Sequence, residues 1–147
     1  MSYFQNLTSS INQSRIITNS FEDVDVKNEI KKNLDFFFKL GRKKLILIHT
    51  DNCKESVLGY LAALASNNTC MLVENNISDE RLEKIINSYL PDFIFASDRN
   101  TNLKSKYKIF ATFENYNFYQ TKFESSSLIN DKLALMLTTS GSTGTPK

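Results

Sequence analysis

Leu45-Ile46-Leu47-Ile48, Cys70-Met71-Leu72-Val73 and Phe93-Ile94-Phe95 are short, continuous apolar runs separated by stretches with helical spacing, and their order decides the fold. A run without polar alternation suits a strand covered on both faces. Between the first two runs, Asn52 and Glu55 have capping-box spacing, and Val57, Leu58, Leu61, Ala62, Leu64 and Ala65 line one face of a helix ending near Ser66. Before the third run, Ser78 begins a second helix with Asp79 and Glu80 in its first turn, where carboxylates complement the positive helix end. Leu82, Ile85, Ile86 and Tyr89 form its buried stripe, and Pro91-Asp92 ends it. Strand, helix, strand, helix, strand predicts two successive right-handed crossovers, hence an α/β protein with a Rossmann-like parallel sheet.

Working outward, residues 1–22 are polar and rich in Ser, Asn and Gln, with Ile11, Ile16 and Ile17 as apolar anchors, and read as a loosely attached arm. From Asp23 onward, Val26, Ile30, Leu34, Phe37 and Phe38 recur at helical spacing, and Gly41 stands where a helix C′ glycine would. The triple Phe36-Phe37-Phe38 reads as core. Residues 23–147 are thus expected to form one domain after the arm. Residues 107–113 and 118–123 read as additional aromatic strands, and the segment from Ser97 to Asp131 carries no helical period. Leu133-Ala134-Leu135-Met136-Leu137 reads as one more buried strand.

A chain of 147 residues with 41% hydrophobic and 12% aromatic residues can bury a real core. Its formal net charge of +2 gives no reason to expect nucleic acid or a membrane surface as partner, and Arg42-Lys43-Lys44 and Lys104-Ser105-Lys106-Tyr107-Lys108 read as solvated edges of apolar strands. Cys53 and Cys70 form no C-x-x-C pair and read as reduced, buried thiols. His49, the single histidine, stands at the end of an apolar run and reads as structural, so no metal site is expected. There is no basic start followed by an apolar core and no apolar stretch of ~20 residues, so a soluble cytoplasmic protein is expected.

The last stretch, Gly141-Ser142-Thr143-Gly144-Thr145-Pro146-Lys147, holds two of the four glycines and one of the two prolines, and is preceded by Thr138, Thr139 and Ser140. Glycines let backbone amides approach phosphate oxygens without a Cβ in the way, hydroxyls donate hydrogen bonds, and a lysine offsets charge. A polyphosphate needs that combination. The spacing is not that of a Walker loop, because Pro146 stands where the second glycine would fall. The plainer reading, a Ser/Thr/Gly linker, leaves unexplained why the segment follows a strand and finishes in Pro-Lys.

Position for position over residues 136–147, the stretch resembles the phosphate-binding signature of the adenylate-forming superfamily: acyl- and aryl-CoA ligases, adenylation domains of peptide synthetases, and luciferase. The resemblance extends more loosely over residues 44–95, where Asn52, Leu61-Ala62-Ala63-Leu64 and Pro91-Asp92 fit the family's pattern. Asn67 departs from it, standing where the family usually has glycine. Asparagine is the residue next most able to adopt a left-handed conformation, so the turn is expected to survive.

The resemblance implies an ATP-dependent, AMP-forming carboxylic acid ligase, with Mg2+ accompanying ATP and coenzyme A or a carrier-protein phosphopantetheine as acyl acceptor. It implies that Thr139, Ser140, Gly141, Ser142, Thr143 and Gly144 hold the β- and γ-phosphates. Lys147 would balance charge on the departing pyrophosphate. The family's aromatic-Gly-Thr-Glu segment, ribose-binding aspartate, hinge and late catalytic lysine have no counterpart in these residues. The chain therefore reads as the N-terminal part of such a ligase, truncated in the phosphate loop, inactive alone, and with the remainder of the enzyme as its missing partner. A small non-catalytic α/β binding or interaction domain is the alternative.

Overall fold

The three apolar runs become adjacent strands of one sheet, buried on both faces as their composition requires. The computed structural model describes residues 16–17, 23–24, 28, 35–40, 43–123 and 129–138. Its elements are β1 (Ile16–Ile17), β2 (Asp23–Val24), β3 (Leu45–Thr50), α1 (Lys54–Ala65), β4 (Thr69–Glu74), α2 (Asp79–Tyr89), β5 (Phe93–Ser97), α3 (Thr101–Lys106), β6 (Lys108–Phe113), β7 (Tyr116–Gln120) and β8 (Leu135–Leu137). The main sheet has the order β6-β7-β5-β3-β4-β8. Strand β3 lies parallel to both β4 and β5, and β4 is parallel to β8, so a four-stranded parallel core carries an antiparallel hairpin, β6 and β7, on one side. The expected α/β class and parallel β-α-β-α-β unit are present.

Side chains alternate across the sheet and feed two cores. On one face Leu45, Leu47, Met71, Val73, Ile94 and Ala96 pack with Leu82, Ile85 and Ile86 of α2 and Leu103 of α3. On the other, Ile46, Ile48, Cys70, Phe93 and Phe95 meet Ala62 and Ala63 of α1 and Phe37. Phe118 centres this second layer, with the rings of Phe36, Phe37, Phe93 and Phe95 at centroid distances of 5.0, 5.2, 5.1 and 5.7 Å. Tilted and edge-on packing at these distances adds to area burial.

Helix α2 follows its sequence pattern closely. The Ser78 hydroxyl accepts from the Arg81 amide, Asp79 and Glu80 occupy the first turn, and the stripe Leu82, Ile85, Ile86 is buried with Tyr89 packed beside it. Helix α1 starts differently from expectation. Its N-cap is Cys53, without a side-chain cap bond, and the Asp51 amide donates to the Ser56 hydroxyl instead. Its buried face is also turned from the expected one: Ser56, Leu58, Gly59, Ala62, Ala63 and Ala65 face the sheet, while Val57 is exposed. Small residues let the helix approach the Phe95 ring closely. At its C-terminus the Asn67 amide donates to the Leu64 carbonyl and the Asn68 amide to the Ala63 carbonyl, a Schellman closure. It requires a left-handed residue between them, and Asn67 has φ 60°.

Three further expectations need correction. Asp23–Val24 is extended and paired with Ile16–Ile17, so the first helix does not begin there. Phe38 is 59% exposed, whereas Phe36 takes the inward position beside Phe113 and Phe118. Gly41 lies outside the described residues. The segment after Ser97 contains the unforeseen helix α3, capped by the Asn100 side chain accepting from the Leu103 amide. Its hairpin strands are 108–113 and 116–120, joined through Glu114 at φ 50°.

A Cβ built on Gly59 would stand 2.3 Å from Cε1 and 2.6 Å from Cδ1 of Phe95, a ring itself wedged among Tyr116 and Phe118. Gly59→Ala should therefore destabilise the chain by about 1–3 kcal/mol, the usual cost of overpacking, despite alanine's better helix propensity. Urea unfolding with an unchanged m-value would show it; a stabilised variant would mean that α1 can lift off the ring without cost.

Candidate functional site

The candidate loop leaves the sheet at the carboxyl end of β8, and side-chain hydrogen bonds secure that strand at both ends. At the start, the Thr69 hydroxyl donates to the Leu133 carbonyl at 2.8 Å and the Cys70 amide to the Ala134 carbonyl at 2.9 Å. The Lys43 ammonium donates to the Asp131 carbonyl in the turn before it. At the finish, the Thr138 hydroxyl donates to the Leu72 carbonyl at 3.2 Å. Because Cys70, Met71 and Leu72 pair in parallel with Leu135, Met136 and Leu137, residue 138 emerges at the same end of the sheet as the carboxyl ends of β3 and β4.

Strand β8 was expected to be buried, but among the described residues it is the last strand of the sheet: Leu135 and Leu137 are exposed and Met136 is half-buried against the α2 face. An apolar run reads alike in a central strand and at an edge; sheet order decides which it is. Thr139, Ser140, Gly141, Ser142, Thr143, Gly144 and Lys147 all lie outside the described residues. What the structure supplies is the root from which they depart.

At that same end of the sheet, Thr50, Asp51, Asn52, Glu74, Asn75 and Asn76 line an open groove of about 400 Å³. Its walls are tied together: Thr50 Oγ1 donates to the Val73 carbonyl, the Asn75 amide to the Thr50 carbonyl, and Asn75 Nδ2 to Asp51 Oδ2. Asp51 Oδ1 accepts from the Asn52 amide. In open parallel sheets ligands bind outside the carboxyl ends of the strands. The loop root and the groove share that end. Sequence reading passed over Asp51 and Asn75, whose pairing joins residues from two different strand ends.

The two thiols are not equivalent. Cys70 is buried on the α1 face, and desolvation pushes it up to about 12, so it stays protonated. Cys53 is half-exposed and donates to the Tyr116 hydroxyl at 3.5 Å, while Tyr116 donates to the His49 carbonyl at 3.2 Å. Burial pushes the Cys53 thiol up as well. Neither is disulfide-bonded. Among the described residues no group of three His, Cys, Asp or Glu side chains could hold a metal.

His49 is 2% exposed, and neither ring nitrogen has a hydrogen-bond partner among the described residues. Desolvation holds its pKa below 6.5, with Asp79 and Asp51 opposing more weakly. The unfolded chain therefore takes up a proton near pH 6.5 that the folded chain refuses, so acid favours unfolding. The thermal midpoint should fall as pH drops below about 6.5, and His49→Leu should flatten that slope. With a single histidine in the chain, one imidazole NMR titration checks the shift directly. A midpoint as pH-dependent in His49→Leu as in the parent would assign the effect elsewhere.

The described residues form an α/β domain whose parallel strands end beside the start of the terminal motif. The model of the AMP-binding enzyme family matches residues 37–147, and the chain belongs to that family. A comparison with curated proteins finds no match. No helix among the described residues is long and apolar enough to cross a membrane.

Proposed function

We propose that the chain supplies the phosphate-binding segment of an ATP-dependent, AMP-forming acid-thiol ligase, with residues 23–147 as part of the adenylation domain and residues 1–22 as an arm. The observation that carries the reading is the root of the motif at Thr138. It emerges from a parallel strand at the carboxyl ends of β3 and β4, the end at which open α/β sheets bind ligands. Family membership supports adenylate formation as the reaction type.

In that reaction a carboxylate oxygen attacks the α-phosphorus of ATP, the bond to the β-phosphate oxygen breaks, and pyrophosphate leaves with the electron pair. The acyl-adenylate then yields its acyl group to a thiol of coenzyme A or phosphopantetheine, releasing AMP. Thr139, Ser140, Ser142 and Thr143 would donate to the β- and γ-phosphates, Gly141 and Gly144 would let the backbone approach, and Lys147 would stabilise the leaving group. Donors positioned in advance on a leaving group act more strongly as charge develops than in the ground state. Mg2+ would arrive with ATP, neutralising part of its phosphate charge. ATP and a thiol acceptor fit a cytoplasmic setting, and the 147 residues by themselves would not complete the cycle, because the family's ribose-binding aspartate has no counterpart in them.

The test is carboxylate-dependent exchange of labelled pyrophosphate into ATP, with these residues joined to the remainder of a family member's adenylation domain. Exchange should be lowered by Thr143→Val and abolished by Gly144→Val, whose branched side chain would obstruct backbone and phosphate together. Exchange untouched by both substitutions would refute the assignment and favour a non-catalytic binding domain.

A further inference from the structure

The basic run Lys104-Ser105-Lys106-Tyr107-Lys108 reads in the sequence as a solvated edge, but the fold brings part of it to a cavity. Lys106, Tyr107, Lys108, Gln120, Lys122 and Phe123 line an open groove of about 430 Å³. It lies at the other end of the sheet from the loop root. Gln120 pairs with both Lys108 and Phe93, and Phe93 opens β5 and pairs with Ile46 near the start of β3, so the groove stands at the amino ends of the parallel strands.

Its walls are fixed before any ligand arrives. The Thr121 amide donates to the Asp92 carbonyl at 3.1 Å and the Thr121 hydroxyl to the Pro91 carbonyl at 2.6 Å, while the Phe123 amide donates to that hydroxyl at 3.2 Å. These bonds pin the turn that carries Lys122, whose ammonium stands 5.7 Å from the centre of the Phe123 ring. Lys106 is ion-paired with Glu83. Lys108 and Lys122 have no carboxylate partner among the described residues. Two uncompensated ammonium groups beside one groove repel each other, and a dianion between them turns that repulsion into attraction. Tyr107 and Phe123 pack on the α2-face core and give the groove an apolar side. Lysine binds phosphate as a point charge, and a space of this size suits a small organic molecule.

We propose that this groove binds a small phosphate monoester, with its phosphate between Lys108 and Lys122 and its organic group against the Tyr107 and Phe123 rings. The site is separate from the end of the sheet at which the terminal motif departs, and it does not rest on the reading of that motif.

The experiment titrates phenyl phosphate into the 15N-labelled 147-residue chain at constant ionic strength and follows the amide shifts by NMR. Saturable shifts should centre on Lys108, Gln120 and Lys122. Lys108→Gln and Lys122→Gln should each weaken binding about 2- to 5-fold, the range of an exposed ion pair, without moving the thermal midpoint. Lys132→Gln, which removes the same charge from the exposed turn before β8, should leave the affinity unchanged. Phenyl phosphate should bind more tightly than inorganic phosphate, because only the ester reaches the rings. An equal loss in Lys132→Gln, or shifts spread over exposed lysines throughout the chain, would reduce the effect to general charge attraction and overturn the site. Equal affinity for phenyl phosphate and inorganic phosphate would overturn the ester class. Absence of saturable shifts at the groove would overturn the proposal as a whole and leave the adenylation reading untouched.

Discussion

Lys147→Ala is expected to slow adenylate formation about 10²-fold, by analogy with the loss of one oxyanion donor, while raising the KM for ATP much less. In the ground state ATP's phosphates are already largely neutralised by magnesium. Additional negative charge reaches pyrophosphate only as the bond to the α-phosphate breaks, so an ammonium placed there contributes most near the transition state. The measurement is pyrophosphate exchange at saturating and limiting ATP, with these residues joined to a complete adenylation domain. Arginine at the same position should recover little, since a planar fork does not replace a compact point charge. If Lys147→Ala raises only the KM and leaves kcat unchanged, the lysine holds substrate and takes no part in stabilising the leaving group.

Asp92→Ala is expected to cost about 2–4 kcal/mol of stability, the range for stranding a buried hydrogen-bonded or charged partner. Asp92 is 3% exposed at the amino end of β5, and its Oδ2 accepts from the Leu45 amide at 2.9 Å while Oδ1 faces the Lys44 ammonium at 3.3 Å. Its main chain is engaged too: the amide donates to the Leu45 carbonyl, and the carbonyl accepts from the Thr121 amide and hydroxyl. One residue thus joins the starts of β3 and β5 to the end of β7. Removing the carboxylate leaves the Leu45 amide buried without that acceptor. Asp92→Asn keeps an oxygen in place and should cost roughly half as much. Urea unfolding of the two variants separates the hydrogen bond from the charge, and equal loss in both would assign the effect to the Lys44 pair.

The Pro91-Asp92 pair shows how legibility divides. In the sequence it marks the end of a helix, and α2 indeed stops before it, with Leu90 in a left-handed conformation at φ 50°. Its second role is invisible there because the partner amide lies 47 residues away. Helix α2 was readable because every determinant is local: a capping serine, acidic residues in the first turn and a stripe of large apolar residues. Asn67 was readable for the same reason, since a helix that must reverse into a strand needs a left-handed residue at its C-terminus. Helix α1 was misread in orientation. It is apolar almost all round, so periodicity leaves its buried face undetermined, and contact of Gly59 with Phe95 selects it. Helix α3, with Leu103 as its single buried residue, is too short to show a period.

By itself the sequence determined the α/β class and the order of the central elements, because strand composition and helix caps are written in neighbouring residues. Tertiary structure alone decided that Leu135 and Leu137 lie in the last strand of the sheet among the described residues, that Phe36 turns inward in place of Phe38, and that Thr138 is held on Leu72. Each depends on which strands are neighbours and which side chains compete for one space. These are contacts between segments far apart in the chain, and no local pattern encodes them.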